Sequence, residues 1–317
     1  MILGLRIDVC TFEGLRTGVP ALLSLLARFD ARASFFVALG PDRSGRALLQ
    51  LLRPGFASKM RRTRAVRTYG WRTILSGTLL PARHAADLAE VVRAIPAAGH
   101  EVAVHGYDHR RWQDGLFRMT EAEVRREMAQ AVAVYERVVG RRPDGFGAPG
   151  WQCSPTSLRV LDESSFAYAS DTRGRQPFFP SLHGLTLRTL QIPTTLPTLD
   201  EVLGLDGMDG DGFVGLVNQR LRQDPWPVLT LHAEMEGGRF LSVAEALLER
   251  WGVQGVRCLP LAEMATRVRA GGEDRIPIAD IAPRPIRGRS GSVATPQGLE
   301  PTSEVRGAGR QREPRLR

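Results

Sequence analysis

Short apolar segments of strand length alternate along this chain with segments of helical periodicity, and this alternation strongly restricts the possible fold. Ile2–Val9 is an apolar run that ends in acidic and polar residues, as a buried parallel strand does. Gly18–Asp30 repeats leucines at helical spacing, and Ala33–Leu39 is a second short strand. A capping box at Thr120 opens a further helix that ends at Gly140. The pattern predicts one α/β domain with a mostly parallel sheet, either open or closed into a barrel.

The C-terminal part of the chain differs from the rest in composition. Residues 271–317 are rich in Gly, Pro, Ser, Thr and Arg and contain few large apolar side chains. Such a segment buries too little surface to offset its ordering entropy, so we expect a disordered tail after a domain formed by residues 1–270.

The positive charge of the chain is concentrated in residues 43–83. This segment contains ten Arg and Lys residues and no Asp or Glu, whereas the whole chain has a net charge of +9. Leucines and aromatic residues are interleaved with the charges, which is typical of a basic amphipathic insertion that binds an anionic membrane surface. The alternative is a solvated insertion packed on the barrel. Nucleic acid is not expected as a partner, because no DNA- or RNA-binding motif accompanies the charges.

The remaining compositional features predict a cytoplasmic protein. The N-terminus lacks the charged and apolar regions of a signal peptide, and no run of about 18 apolar residues could span a bilayer. Three scattered cysteines, Cys10, Cys153 and Cys258, argue against a disulfide framework and indicate a reducing compartment.

Polar residues after two of the predicted strands have the spacing of a metal site. Asp8 and Cys10 stand two residues apart at the end of the first strand, so both side chains can enter one cavity. His105 and His109 follow the strand Glu101–Val104, and their spacing of four places both imidazoles on one face of a helical turn. Each residue alone could be an ordinary strand-end residue. Because catalytic groups of α/β folds gather at this sheet edge, the cysteine and the two histidines form a candidate three-ligand site with an open position for water.

Two further strand ends carry titratable side chains. His232 follows the strand Val228–Leu231 and can donate a proton to a leaving group at physiological pH. Asp171 follows the strand Phe166–Ala169, and its carboxylate could orient His232. Core packing alone explains poorly why four strand ends each present a titratable residue.

The order and spacing of these residues resemble the polysaccharide deacetylase superfamily, and within it the branch that deformylates 4-deoxy-4-formamido-L-arabinose on undecaprenyl phosphate. The resemblance covers nearly everything from Leu3 to about Arg269. The stretches that carry it are LRIDV–TF (Leu5–Phe12), GVPALL near Gly18, GPD–GR (Gly40–Arg46), YGW–ILSGT (Tyr69–Thr78), HGYDHRRWQ (His105–Gln113), SDTRG–PF (Ser170–Phe178), QIPTTLPTLDEV (Gln191–Val202) and LHAEMEG (Leu231–Gly237).

The resemblance implies a distorted (β/α) barrel that binds a divalent metal ion, Zn²⁺, Co²⁺ or Mn²⁺. The metal ligands that it implies are Cys10, His105 and His109. It further implies that Asp8 is the general base for the attacking water, that His232 is the general acid for the departing amine, and that Asp171 tunes His232.

Two positions depart from the family pattern. Cys10 stands where the family has an Asp as the third metal ligand, and a thiolate is a softer and bulkier donor than a carboxylate. Gly147, in the sequence GAPGW, stands where the wider superfamily has an Arg that holds the base. Candidate substrate-binding residues are Trp151, Arg173 and Glu234.

The sequence therefore predicts a metal-dependent deformylase that acts on a polyprenyl phosphate-linked sugar at the cytoplasmic face of the inner membrane. Its product would be the aminoarabinose lipid used to modify lipid A, which confers resistance to cationic peptides such as polymyxin. Two alternatives stay open. One is a deacetylase of another sugar or amide, and the other is a catalytically degenerate homologue that binds lipid-linked sugar because Cys10 replaces the expected ligand.

Overall fold

The structure is a computed structural model, and it describes residues 1–46, 73 and 75–301. None of the helices in that part of the chain combines the length and the hydropathy that a membrane span requires.

Strands and helices alternate along the chain as the sequence predicts. The strands are β1 (Ile2–Val9), β2 (Ser34–Val37), β3 (Glu101–Val104), β4 (Gly145–Phe146), β5 (Tyr168–Ala169), β6 (Phe179–Leu182), β7 (Leu185–Thr186), β8 (Leu190–Gln191), β9 (Val228–His232), β10 (Arg257–Leu259), β11 (Ile278–Pro285) and β12 (Ser292–Pro296). The α-helices are α1 (Val19–Arg28), α2 (Ala89–Ala97), α3 (His109–Gly115), α4 (Glu121–Val139), α5 (Pro155–Glu163), α6 (Leu199–Val202), α7 (Gly210–Leu221), α8 (Leu241–Val253) and α9 (Leu261–Ala270).

Eight parallel strands form the central sheet and nearly close it into a barrel. Their order is β10-β1-β2-β3-β4-β5-β8, and β9 pairs with β1 as well. The loop after β8 spans the remaining gap, because the N–H groups of Thr195 and Leu196 both donate to the carbonyl of Val228 in β9, each at 3.1 Å. The predicted α/β fold, a distorted (β/α) barrel, is confirmed.

Both faces of the central strands are buried. Phe35 of β2 packs against the helices outside the sheet, whereas the next residue, Phe36, packs inside the barrel beside Tyr168. The same two-residue alternation in β1 directs Arg6 and Asp8 to the interior, where both are buried. Charged groups inside the barrel must therefore find partners there, because water is excluded.

The helix predicted from Thr120 to Gly140 is confirmed as α4. The hydroxyl of Thr120 accepts a hydrogen bond from the N–H of Glu123, whose carboxylate in turn accepts one from the N–H of Thr120. Gly140 ends the helix in the left-handed conformation, with φ of 83°.

The predicted disordered tail is wrong for much of the segment after residue 271 that the structure describes. Strands β11 and β12 pair antiparallel with each other, and β11 also pairs with β6. Val293 and Ala294 of β12 are buried. The composition argument counted only large apolar side chains, whereas an unpaired sheet edge also stabilises an added strand through backbone hydrogen bonds. Residues 302–317 lie outside the described residues.

Most of the basic segment 43–83 also lies outside the described residues, so its predicted contact with a membrane stays a prediction. Near its start, Arg43 forms an ion pair with Asp108 in the loop after β3. At its end, Arg83 lies over the ring of Phe12, 5.0 Å from the ring centre, in the loop after β1. The segment thus leaves and rejoins the barrel beside loops at the carboxyl ends of the strands.

Candidate active site

The carboxyl ends of β1, β3 and β9 bring the predicted residues to one mouth of the barrel. Asp8 and His232 are direct partners in the parallel pairing of β1 with β9. Strand β2 lies between β1 and β3, and the N–H of His105 after β3 donates to the carbonyl of Val37 in β2 at 2.9 Å. One turn later, His109 is the first residue of α3. The topology therefore gathers side chains that are far apart in sequence.

The three predicted metal ligands lie together. The donor atoms of Cys10, His105 and His109 are within 4.8 Å of one another. Nδ1 of His105 lies 2.7 Å from the carbonyl oxygen of Gly147, while Nε2 is buried and has no hydrogen-bond partner among the described residues. Zn²⁺ binds imidazole nitrogen at about 2.0–2.1 Å and thiolate sulfur at about 2.3 Å, and at a tetrahedral angle two such donors are about 3.3–3.6 Å apart. The three donors could hold a divalent ion if they moved closer together by up to about 1.5 Å.

Without a cation, the pKa shifts favour the neutral form of both imidazoles, which a metal requires, and the protonated form of the thiol. Burial lowers the pKa of His105 to about 4. Burial and the neighbouring positive groups hold the pKa of His109 well below its usual value. Burial, followed by the carboxylate of Glu234, raises the pKa of the Cys10 thiol well above its usual value. A cation that binds here has to displace the thiol proton.

Glu234, one of the predicted substrate-binding residues, lies beside Cys10, whose thiol pKa its carboxylate helps to raise. The Oε2 atom of Glu234 is buried and has no hydrogen-bond partner among the described residues. It also lies close to Gly14, where an added Cβ would be 2.8 Å from it. Burial raises the pKa of Glu234 to about 6. The carboxylate is therefore a neighbour of Cys10, and contact with substrate stays a prediction.

Arg6 is buried in the barrel and fixes Asp8. Its Nε and Nη2 atoms donate to the two carboxylate oxygens at 2.6 and 2.9 Å. Its Nη1 atom donates to the carbonyl and the hydroxyl of Ser170. Burial acts to raise the pKa of Asp8, but the Arg6 guanidinium together with His105 and His232 outweighs it, so that pKa is held below its ordinary value. Asp8 is thus ionised, and one carboxylate oxygen lies 3.6 Å from Nε2 of His105.

Gly147 leaves the space that Arg6 fills. A Cβ at this position would lie 2.6 Å from the ring of Phe36 and 3.1 Å from Nη2 of Arg6. The guanidinium also lies over the Phe36 ring, 4.6 Å from its centre. An arginine that contacts the predicted base is therefore present, but it comes from β1 and not from position 147.

His232 is surrounded by carboxylates. Burial acts to lower its pKa, but Asp200, then Asp8 and Glu234, act more strongly in the other direction, so the pKa of His232 is raised. The backbone N–H of His232 donates to Glu236 at 2.8 Å, while its Nδ1 is buried without a partner among the described residues. The raised pKa keeps more of the imidazole protonated near neutral pH, as a proton donor requires.

Asp171 does not make the expected contact with His232. Its two carboxylate oxygens accept hydrogen bonds from the N–H of Ala148 at 2.8 Å and from the side-chain amide of Gln191 at 2.9 Å. Burial raises the pKa of Asp171 to about 6. These bonds tie the loop after β4 to β8, so Asp171 supports the wall of the site and its influence on catalysis stays a prediction.

The other two predicted substrate-binding residues differ in what they can contact. The indole of Trp151 borders the site, since its ring centre lies 6.4 Å from that of His232 in an edge-to-face arrangement. Arg173 is buried, and its guanidinium is occupied by the carboxylate of Glu201 and by the carbonyl of Leu196 at 2.9 Å. The guanidinium of Arg173 therefore holds the loop after β8 in place, whereas we had expected it to bind substrate.

Sequence analysis missed two arginines of the site. Arg6 was taken as part of an apolar strand, although a charged residue at an interior position of such a strand was a usable signal. Arg289, between β11 and β12, lies over the ring of Trp151, 4.6 Å from the ring centre. The expectation of disorder removed that segment from consideration.

Comparison with known proteins identifies the family of the chain. A sequence profile of the family described as polysaccharide deacetylase matches residues 4–169. A protein of Shewanella sediminis, described as a probable 4-deoxy-4-formamido-L-arabinose-phosphoundecaprenol deformylase, is 37% identical over 262 residues, which are 82% of this chain and 85% of that protein. A protein of the same description from Wigglesworthia glossinidia brevipalpis is 28% identical over 287 residues, 90% of this chain and 99% of that protein.

A solved structure also shares the architecture. It is described as a polysaccharide deacetylase from Mycobacterium smegmatis, and it superposes with a TM-score of 0.61 over 90% of this chain and 94% of that chain. The sequence identity is 20%, so this likeness concerns the fold alone.

Proposed function

The chain belongs to the polysaccharide deacetylase family, and on that premise we propose that it removes the formyl group from 4-deoxy-4-formamido-L-arabinose linked to undecaprenyl phosphate. Membership places the chain among hydrolases that act on carbon–nitrogen bonds of linear amides. The two relatives compared above are named for the deformylation, and the one from Shewanella sediminis is 37% identical to this chain. The proposal includes a divalent metal ion, with Zn²⁺, Co²⁺ and Mn²⁺ as candidates.

The arrangement at the barrel mouth is the observation that supports this proposal most directly. An ionised carboxylate, Asp8, and an imidazole with a raised pKa, His232, extend from paired positions on adjacent strands. The donor cluster lies beside them, with Nε2 of His105 3.6 Å from Asp8. Two titratable groups whose environments push their pKa values apart are suited to act as base and acid on opposite sides of an amide.

These residues can carry out hydrolysis in one addition and one elimination. A divalent ion held by Cys10, His105 and His109 supplies Lewis acidity toward the formyl carbonyl. Asp8 accepts a proton from the attacking water as the water oxygen bonds to the formyl carbon. His232 then gives its proton to the amine nitrogen as the carbon–nitrogen bond breaks. The products are formate and the free amino sugar.

The product suggests the physiological role. Deformylation replaces a neutral amide by an amine that carries a positive charge near neutral pH. Transfer of such a sugar to lipid A would offset negative charge on the lipid and weaken its attraction for cationic peptides such as polymyxin. The proposed location is the cytoplasmic face of the inner membrane, with residues 43–83 at the lipid surface.

The state of Cys10 favours a second candidate, a homologue that binds lipid-linked sugar without hydrolysing it. Cys10 stands where the family has a carboxylate ligand, and in the absence of a cation burial and the Glu234 carboxylate raise the pKa of its thiol. Such a protein would hold no metal after purification and would release no formate.

A formate-release assay on the lipid-linked formamido sugar tests the proposal. Zn²⁺, Co²⁺ and Mn²⁺ are supplied in turn, and the metal content of protein purified without added metal is measured by elemental analysis. We expect formate with at least one metal. Acetate release from the matching acetamido sugar, without formate from the formamido sugar, would identify a deacetylase. Absence of both metal and turnover would favour the degenerate homologue.

A further inference from the structure

The hairpin formed by β11 and β12 extends to the candidate active site. Residues 286–291 connect the two strands, and Gly288 in this tip lies so close to the end of α6 that an added Cβ would be 1.8 Å from the carbonyl oxygen of Glu201. The neighbouring residue, Arg289, is 10% exposed at its side chain. The tip is therefore packed against the barrel mouth.

Several contacts anchor this hairpin to the loops around the site. The carbonyl of Ala294 accepts a hydrogen bond from the N–H of Arg173 at 2.9 Å. The carbonyl of Ser292 accepts one from the side-chain amide of Gln152 at 2.6 Å. Gln152 follows Trp151 directly, so β12 is bonded to the same loop that presents the indole to the site.

Arg289 and His232 contact the same side chain. The guanidinium of Arg289 lies 4.6 Å from the centre of the Trp151 ring, and the imidazole of His232 meets that ring edge-to-face at 6.4 Å. A molecule whose amide reaches His232 would therefore present its other substituents within reach of Arg289.

The guanidinium of Arg289 shares a carboxylate with a second guanidinium. The carboxylate within ion-pair distance is that of Glu201, at 3.5 Å, and Arg173 already holds the same carboxylate. In the part of the chain that the structure describes, no group accepts a hydrogen bond from the Arg289 guanidinium. A planar guanidinium with unused donors over an aromatic ring is well suited to bidentate binding of a phosphate.

We propose that the hairpin completes the active site and that Arg289 binds the phosphate diester of the substrate. This inference rests on the proposed function, since a sugar linked to a polyprenyl phosphate carries one such anion beside the ring that bears the amide. The shared chemistry is a phosphate ester attached to a sugar, and the lipid chain is not required for the contact.

The test compares two soluble substrates that differ in charge. One is the formamido sugar linked through a phosphate diester to a short prenyl chain, and the other is the neutral methyl glycoside of the same sugar. Hydrogen bonds to a charged group contribute about 1.5–3 kcal/mol, so Arg289→Ala is expected to lower kcat/KM for the phosphate diester by about 10- to 150-fold. The value for the neutral glycoside is expected to stay within about twofold of the original.

Arg287 provides the matched control. It belongs to the same hairpin tip, but it pairs with Asp206 at 2.8 Å and lines a cavity of about 630 Å³ with Arg284 and Arg220. Arg287→Ala should leave both substrates unaffected. Arg289→Lys keeps the charge without the planar fork and should give an intermediate loss on the phosphate diester. Melting temperatures of the variants verify that the fold is retained.

An equal loss on both substrates, or no loss on either, would overturn the role of Arg289. Failure of the proposed function is a different result, in which the original protein releases formate from neither substrate. In that case calorimetric titration with the sugar phosphate diester decides the matter, with inorganic phosphate as the comparison ligand. Weaker binding of the diester by Arg289→Ala but not by Arg287→Ala supports the phosphate site, and equal affinities refute it.

Discussion

At the residue scale, the Arg6–Asp8 pair shows how a charged group is retained inside an apolar barrel. Burial of two charges is expensive unless their remaining donors and acceptors are satisfied. Arg6 meets that condition, because it contacts both oxygens of Asp8 and two oxygens of Ser170. The pair is therefore both a structural element and the means by which the proposed base stays ionised.

The space for Arg6 depends on Gly147. In Gly147→Ala the new Cβ would crowd Phe36 and Arg6, so we expect the free energy of unfolding to fall by about 1–3 kcal/mol and kcat/KM to fall with it. Gly215→Ala in α7 is the matched control, since nothing lies within 4 Å of its Cβ and alanine favours a helix by about 0.5–1 kcal/mol. Urea denaturation measures both variants. Equal stability of the two would show that Arg6 is not tightly enclosed.

Cys10→Asp tests whether position 10 is a metal ligand. The new carboxylate would stand near Asp8 and Glu234, so we expect a lowered melting temperature without metal and recovery when Co²⁺ or Mn²⁺ is added. Metal preference should move away from Zn²⁺, because oxygen is a harder donor than sulfur, and formate release should be no lower than in the original.

The control for this substitution is Cys258→Asp. Cys258 is buried among apolar side chains, so a carboxylate there should destabilise the fold by several kcal/mol with or without metal. If Cys10→Asp behaved like Cys258→Asp, gaining no stability from metal, then Cys10 would be a structural residue and the ligand assignment would be wrong.

The pKa of His232 should respond to Asp200. Burial opposes the effect, but Asp200 does most to raise the pKa of His232, so Asp200→Asn is expected to lower that pKa and to move the alkaline limb of the kcat profile to lower pH. His232 has a folded-state pKa above its unfolded value, so its protonation stabilises the fold below the unfolded pKa, and this contribution is lost as pH rises through the folded pKa. Asp200→Asn should therefore also reduce stability near pH 6 more than near pH 9.

Asp211→Asn, which changes an exposed acid on α7, is the comparison variant for that measurement. An alkaline limb that stays in place in Asp200→Asn would show that His232 is not the group whose protonation limits turnover.

At the element scale, the strands of the barrel were predictable and the C-terminal hairpin was not. Strands β1, β3 and β9 are apolar runs that end in polar residues. Because both faces of these strands are buried, this pattern predicts them even when their partner strands are unknown. Pairing of β11 with β6 depends on an available sheet edge far away in sequence, and no local pattern reports it. The contacts of Asp171 escaped prediction for the same reason, since its partner Gln191 comes from β8.

The position of the hairpin tip can be tested with a pair of glycines. Gly288 and Gly291 have φ of 84° and 83°, so alanine strains the backbone similarly at both. A new Cβ at Gly288 would collide with the carbonyl oxygen of Glu201, whereas nothing lies within 4 Å of a new Cβ at Gly291. We expect Gly288→Ala to lower kcat/KM on the phosphate diester substrate at least tenfold, because Arg289 is displaced, while Gly291→Ala keeps most of the activity. Similar activities of the two variants would mean that activity does not depend on the contact between the hairpin tip and Glu201.

At the scale of the whole molecule, the two described ends of the basic segment lie at the same end of the barrel as the active site. Arg43 and Arg83, near the two ends of that segment, contact the loops after β3 and β1. A lipid-linked substrate has to approach from the membrane side, so this placement would turn the open mouth toward the lipid surface.

Salt-dependent binding to anionic vesicles tests that orientation. Substitution by Gln of four arginines outside the described residues should reduce sedimentation with such vesicles and spare turnover of a soluble substrate. These arginines are Arg61, Arg62, Arg64 and Arg67. Binding of the original protein should weaken from 0.1 to 1 M salt, as the Debye length shrinks from about 10 to about 3 Å.

The control carries the same change in charge at exposed positions elsewhere. These are Arg126, Arg137, Arg142 and Arg222. If both quadruple variants bound anionic vesicles as well as the original does, residues 43–83 would be a structural insertion with no role at the membrane.

The pairing of β1 with β9 also governs how the protein can be synthesised. His232 is translated about 220 residues after its partner Asp8, and at about 5–20 residues per second this takes a ribosome roughly 10–45 s. In the second half of that interval a nascent chain already contains Asp8, Cys10 and both histidines of the donor cluster, yet one edge of β1 is open to unwanted pairing. A chaperone that shields this edge would act within that window. The proton donor arrives only with the strand that covers the edge, so hydrolysis cannot begin on the ribosome before the barrel is able to close.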